Sequence, residues 1–346
     1  MPAVSVNKYT CGRYLAALAV AKGDPLVAMA YAESQGQWLD RSSVVSSLKT
    51  AVGALADGDL GASPAADAFL NVLRDYSVPL RLEGLRRAPM RTRILQATTG
   101  TTAGEITEGT AIPPASQVWG AVTLTPRKFA AMTVQSMELV QSASPAAAIA
   151  LQEDLAGAVG DVENRKFCAP WESGSVLYGA SNFNESGTSG QHIGADLSSL
   201  AALVPGAYRG GAWLMHPDTA AYIGGLGAVT GSPTFGNVGP AGGVLLGLPV
   251  ITTTAMGQVG SPASRAIGLI APSEIFYADD GSVQLTASMQ ASIEMTDTPT
   301  GDASDGTQGV TSVVSMFQAG AVALRAIRTT SWKARAGSGA YFSVSY

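Results

Sequence analysis

Charge is what this 346-residue sequence has little of. Asp, Glu, Lys and Arg make up 14% of it, well under the roughly 25% of ordinary soluble domains. Hydrophobic residues reach 46%, and glycine fills 40 positions. So few charges cover a monomer's surface poorly. Large protein–protein interfaces resolve the shortage, because interface cores are depleted in charge. Composition therefore points to an obligate assembly. The formal net charge of −5 excludes a chain that holds nucleic acid by bulk electrostatics. Cys11 and Cys168 are the only cysteines, far apart and with no CxxC or Cys/His spacing, so they read as reduced structural thiols. No apolar run reaches the ~18–20 residues that span a membrane. Lys8 and Arg13 beside the run Tyr14–Ala21 have the outline of a signal peptide, but the run is short, Ala-rich and ended by Lys22, and a helix accounts for it.

The motifs of common enzymes are missing as well. There is no GxxxxGK[ST], GxSxG or HExxH. His192 and His216 are the only histidines. His216 precedes Pro217-Asp218 at a helix start, where a side chain caps or packs, and His192 sits in a solvated Gly/Ser loop. Gly224-Gly225 and Gly242-Gly243 lack the strand–loop–helix setting of a phosphate cradle and read as turns. Asp279-Asp280-Gly281 lies between two strand-like runs and reads as a hairpin turn. Catalytic, cofactor and metal sites are expected to be absent.

What is present is a succession of α and β segments. Short helices are expected at Tyr14–Ala21, Pro25–Glu33 and Pro64–Tyr76, as an arm laid over other surfaces. Arg81, Arg86, Arg87, Arg91 and Arg93 crowd the next stretch, with no interleaved aromatics for a single-strand platform. A two-stranded ribbon is expected around Val118–Leu124; alone it would be marginal, so it must lie against something. Ser144-Pro145 opens a long helix with Leu151, Leu155, Val159 and Val162 on one face, closed by Pro170 and Gly174. A polar stretch at 181–194 marks a boundary. Beyond it, helices are expected at Leu197–Val204 and Pro217–Leu226. Strands are expected at Ala212–Met215, Val244–Thr252, Ala266–Ala271, Glu274–Tyr277, Val283–Ala287, Val313–Arg328 and Tyr341–Val344.

The order of these features resembles the major capsid proteins of tailed bacteriophages, the Hong Kong 97-type fold. Gly84-Leu85-Arg86-Arg87 is similar to the lead-in to that family's extended loop, or E-loop. Glu105–Gly109, Pro113-Pro114 and Val122–Lys128 resemble the loop and its return strand. Ser136-Met137-Glu138-Leu139 is similar to the entry to the spine helix. Trp213–Thr219 and Leu246–Val250 resemble stretches of the axial domain, and Ala323–Ala326 with Trp332-Lys333 the terminal peripheral strands.

The resemblance implies an α+β subunit divided into a helical arm (1–77), an arginine-rich lead-in with the E-loop (78–127), a peripheral domain with its spine helix (128–190), an axial domain (191–305) and return strands of the peripheral domain (306–346). It implies a non-enzymatic subunit, without cofactor or membrane, forming hexamers and pentamers of an icosahedral shell made in the host cytoplasm. Expected partners are further copies, a portal, a maturation protease or scaffold, a decoration protein, and packaged double-stranded DNA held without specific binding. A protease removes a long scaffolding segment from many members; about 75 residues precede the similar region here, so the scaffold is separate or the helices stay on the shell. Encapsulin-like compartments share the fold and hold cargo enzymes; a small soluble α/β enzyme is a further alternative.

Across subunits, Glu105 and Glu108 near the ribbon tip are expected to meet arginines drawn from Arg81, Arg86, Arg87, Arg91, Arg93, Arg325, Arg328 and Arg335. The founding member's isopeptide between an E-loop lysine and a late asparagine is not expected. No lysine occurs between Thr50 and Arg127, and no asparagine follows Asn237.

Overall fold

A computed structural model describes residues 10–35, 38, 40–57, 64–99, 105, 117–138, 145–226, 235–257, 265–295 and 313–345. The first part is helical: α1 (Thr10–Val20), α2 (Pro25–Ser34), α3 (Arg41–Asp57), α4 (Pro64–Tyr76) and the single turn α5 (Val78–Arg81). Asp24 caps α2 by accepting the Leu26 N–H at 2.9 Å, with Pro25 at the first helical position. Helix α3 escapes the sequence pattern because its serines and Gly53 blur the period, although Val44, Val45 and Leu48 are buried. Leu15, Leu18, Phe69 and Leu73 share a core with the long helix, so the surfaces these helices cover belong to their own chain.

The strands β1 (Arg86–Arg87), β2 (Arg93–Thr99), β3 (Val118–Thr123) and β4 (Arg127–Ser136) come next, followed by α6 (Pro145–Cys168). Then come β5 (Ser181–Asn184), α7 (Gly190–Leu203), β6 (Ala212–Met215), α8 (Pro217–Gly225), β7 (Val238–Gly239), β8 (Gly242–Leu245) and β9 (Leu248–Thr252). The chain continues through β10 (Arg265–Ile270), β11 (Ile275–Ser288), β12 (Ser292–Glu294), β13 (Val313–Ser315), β14 (Ala321–Ala334) and β15 (Gly339–Val344).

A four-stranded sheet runs β1-β11-β14-β4 and a seven-stranded sheet β5-β15-β10-β6-β9-β8-β7; β2–β3 and β12–β13 are separate two-stranded ribbons. The seven-stranded sheet is covered on both faces. Trp213, Met215, Ile267 and Leu269 pack under α7 and α8, while the alternate residues Ala212, Leu214, Ala266 and Ile270 join the core containing α1, α4 and α6. That is why β6 and β10 read as unbroken apolar runs rather than alternating ones. Between β8 and β9 the hairpin closes on two residues with positive φ, Leu246 at 50° and Gly247 at 79°, matching the strand twist.

Three expectations are corrected. Val162 is 44% exposed, and the buried residues next to it in α6 are the polar Glu163 and Asn164. Asp279-Asp280-Gly281 does not turn the chain back. Both flanks pair with β14, so the segment is a bulge within the single strand β11. The last residues divide between the sheets: β14 lies in the four-stranded one, whereas β15 pairs with β10 and β5 in the seven-stranded one.

Candidate functional site

Arg328 was expected at a subunit boundary, and the structure places it in the core, 1% exposed. Its position follows from the β11 bulge, which brings Asp279 toward the strand partner of Val283. Arg328 Nη1 donates to Glu163 Oε2 at 2.5 Å, and Nη2 donates to Asp279 Oδ2 at 2.7 Å and to the Tyr277 hydroxyl oxygen at 2.9 Å. Ser77 Oγ donates to Glu163 Oε2 at 2.7 Å and Thr330 Oγ1 to Oε1 at 3.3 Å. One residue on, Asn164 accepts the Val78 N–H and donates to Tyr76 O, each at 2.7 Å. Burial raises the Glu163 pKa, with Arg328 and Ser77 pulling the other way. Burial also opposes the Arg328 charge, but Glu163, Tyr277 and Asp279 outweigh it and raise that pKa. The cluster clamps the α4–α5 junction, α6, β11 and β14 to one another. A sequence gives little sign of it beyond a glutamate on the apolar stripe of a helix.

The other basic residues lie outside. Arg81, Arg86, Arg87, Arg91, Arg93 and Arg325 are exposed. Arg86 and Arg87 form β1, parallel to β11, with their guanidinium groups 5.8 Å from the Phe276 and Tyr277 rings. Arg325 Nε donates to Thr286 Oγ1 at 3.2 Å. Glu105 is exposed, and Glu108 falls outside the described residues, so their meeting with these arginines stays an expectation about assembly.

The ribbon forms as expected, β2 antiparallel to β3, with Leu95 opposite Ala121. Trp119 is two residues from Ala121, so it shares that face. Leu95 is 64% and Trp119 59% exposed. Inward of the ribbon, Leu124 is 1% exposed and anchors the return into β4.

The candidate chemical residues do structural work. His216 Nδ1 accepts the Asp218 N–H at 3.2 Å and caps α8. His192 stands in the first turn of α7 rather than in a loop, exposed, with Nδ1 2.7 Å from Ser189 Oγ. Cys11 and Cys168 are buried free thiols; burial raises both pKa values, that of Cys168 to about 12. Among the described residues no His, Cys, Asp and Glu group could hold a metal ion. No single described helix is long and apolar enough to cross a membrane.

A family model described as the phage capsid family matches residues 72–330. The capsid polyprotein of Pseudomonas phage PAJU2 is 28% identical over 285 residues, covering 78% of this chain and 42% of that protein. The chain thus spans less than half the length of this relative. A solved structure from Gordonia phage Cozz superposes with a TM-score of 0.53 at 15% identity, over 75% of this chain and 84% of that one. One from Mycobacterium phage Adephagia gives 0.53 at 14% identity, over 78% and 88%. The capsid of a native GTA particle gives 0.52 at 12% identity, over 79% and 91%. At such identities the likeness is one of fold, and that fold is Hong Kong 97-like. The family match spans the E-loop ribbon, the long helix and most strands of both sheets, and the chain belongs to the phage capsid family.

Proposed function

We propose that this protein is the major head subunit of a tailed phage, assembling into hexamers and pentamers that tile an icosahedral shell around double-stranded DNA. The match of the phage capsid family over residues 72–330 carries this reading. The exposed apolar face of the β2–β3 ribbon supports it: a two-stranded ribbon is marginal alone and gains from lying on a neighbouring copy. The subunit is synthesised in the host cytoplasm, has no catalytic role, and meets a portal, a scaffold or maturation protease, and a decoration protein. Its shell is held by buried area rather than by isopeptides. Negative-stain microscopy of the expressed chain should show capsomers or closed particles. A monomer or small oligomer by size exclusion, with no particles, would overturn the proposal. Mature particles boiled in detergent with reductant should release one band at monomer mass, and a ladder of covalent multimers would refute the absence of cross-links.

A further inference from the structure

A second set of cations lies where the two sheets meet. Arg127 opens β4, Lys333 lies at the end of β14 and Arg335 just beyond it. Together with residues 174–176 and 178–181 they line a half-open cavity of about 300 Å³. None of the lining residues is acidic. Arg335 is paired with Glu274 at 3.1 Å. Arg127 and Lys333 have no carboxylate within ion-pair distance among the described residues.

Arg127 is fixed in place. Its guanidinium lies over the Trp332 ring, 4.7 Å from the centroid. That indole is itself held, its Nε1–H donating to Gly174 O at 3.0 Å and its ring flanked by Phe129 at 5.8 Å and Phe167 at 5.3 Å. Gly174 borders the guanidinium. Its φ is +81°, and a Cβ there would stand 2.6 Å from Arg127 Nη2. A side chain at 174 would be strained at this φ and would push the guanidinium aside. A guanidinium held over a ring still carries N–H groups that can donate to a planar oxyanion. Partial burial lowers the Arg127 pKa, as happens to a cation taken from water with no counter-ion beside it.

We propose that this cavity receives a carboxylate side chain from a second copy of the chain, with Arg127 as its fork and Lys333 as the second charge. The proposal rests on the shell reading above. The volume is at the lower limit of small-ligand sites and suits the end of one side chain. A duplex backbone is met by a track of repeated cations, not by a single pair. The chain carries 26 acidic residues against 21 basic ones, so copies packed side by side supply carboxylates in surplus.

Particles assembled from mixed ¹⁴N- and ¹⁵N-labelled chains and treated with a zero-length carbodiimide test this, since the reagent joins a lysine amine only to a carboxylate in contact with it. A Lys333 peptide joined to an Asp or Glu peptide of the other isotope is the expected product. Arg127→Lys keeps the charge but removes the fork, and Lys333→Gln removes the charge. Lys333→Gln should lower the melting temperature of particles while leaving that of isolated subunits unchanged, and Arg127→Lys, which also loses the contact with Trp332, should lower that of particles by more than that of isolated subunits. Lys333 left uncoupled while other lysines react, links within one isotope only, or variant particles that melt like wild type would each overturn the proposal. So would inorganic phosphate stabilising isolated wild-type subunits, but not Arg127→Lys, with no mixed link formed; the site would then take a free anion. Absence of particles in micrographs overturns the shell reading and the proposal with it, whereas particles without mixed links overturn the proposal alone.

Discussion

Under the four-stranded sheet a guanidinium, two carboxylates and a phenol meet out of water, while the outward core of the seven-stranded sheet is built from side chains such as Ile193, Leu197, Leu200, Trp213 and Phe342. The buried carboxylate on that second side, Asp196, accepts the Ser186 N–H at 2.8 Å and needs no cation. An apolar core is worth its transfer free energy and tolerates small slides. A buried ion cluster gives little net energy, because desolvation offsets attraction, but it is costly to break. The side of the four-stranded sheet therefore has one geometry in which α6, β11, β14 and the residues at 76–78 fit together. A shell in which every copy must present the same edges has use for such a clamp at the join of helix and sheet.

The comparison is broken most severely by Arg328→Ala. It strands Glu163 and Asp279 in the core, and the expected loss is about 3–5 kcal/mol. Urea unfolding of the isolated subunit measures it; a loss below 1 kcal/mol would show that water reaches the cluster in solution. Replacing the set together, Arg328→Met with Glu163→Leu and Asp279→Leu, should recover most of that stability, since apolar replacements of buried ion pairs are often neutral or better. The recovered protein is expected to assemble less uniformly, which particle micrographs would reveal. On the apolar side, Leu200→Ala leaves a cavity and should cost about 2–5 kcal/mol. Its partner replacements cannot restore this loss without refilling the volume, and that contrast with the ion cluster is the sharper test.

Much of this was legible from residue order alone. Ala212–Met215 forms the expected strand, and Pro217, one residue past the His216 cap, starts the helix after it. The ribbon around Val118 pairs as its alternation requires. What escaped has physical reasons. The apolar stripe of α6 continues through Glu163, a residue whose partner stands 165 positions away, and no local period reports such pairing. Asp279 and Gly281 look like a turn because turn and bulge draw on the same residue types; only the register with β14 separates them. The Arg127–Trp332 stack depends on the room left by Gly174 between two distant strands.

The smallest effect concerns the side of the seven-stranded sheet, where α8 begins at a titrating cap. His216 Nδ1 accepts the Asp218 N–H, so it must be unprotonated. The ring also packs on Gly257, where a Cβ would lie 2.9 Å from its Cδ2. Burial lowers the His216 pKa, opposed by Asp218 and assisted by Arg265, which is 2.8 Å from Asp218. The folded protein thus holds this proton less tightly than the unfolded chain. The cap's contribution is fully present above the ordinary value of 6.5 and is lost as pH falls through the lowered one. His216→Asn supplies an acceptor that does not titrate and should behave like wild type at about pH 8. At about pH 5 it should be the more stable, by about 1 kcal/mol at most, the worth of one N-cap. Urea unfolding of both proteins at the two pH values checks the sign. Parallel acid losses would place the pH dependence on carboxylates instead.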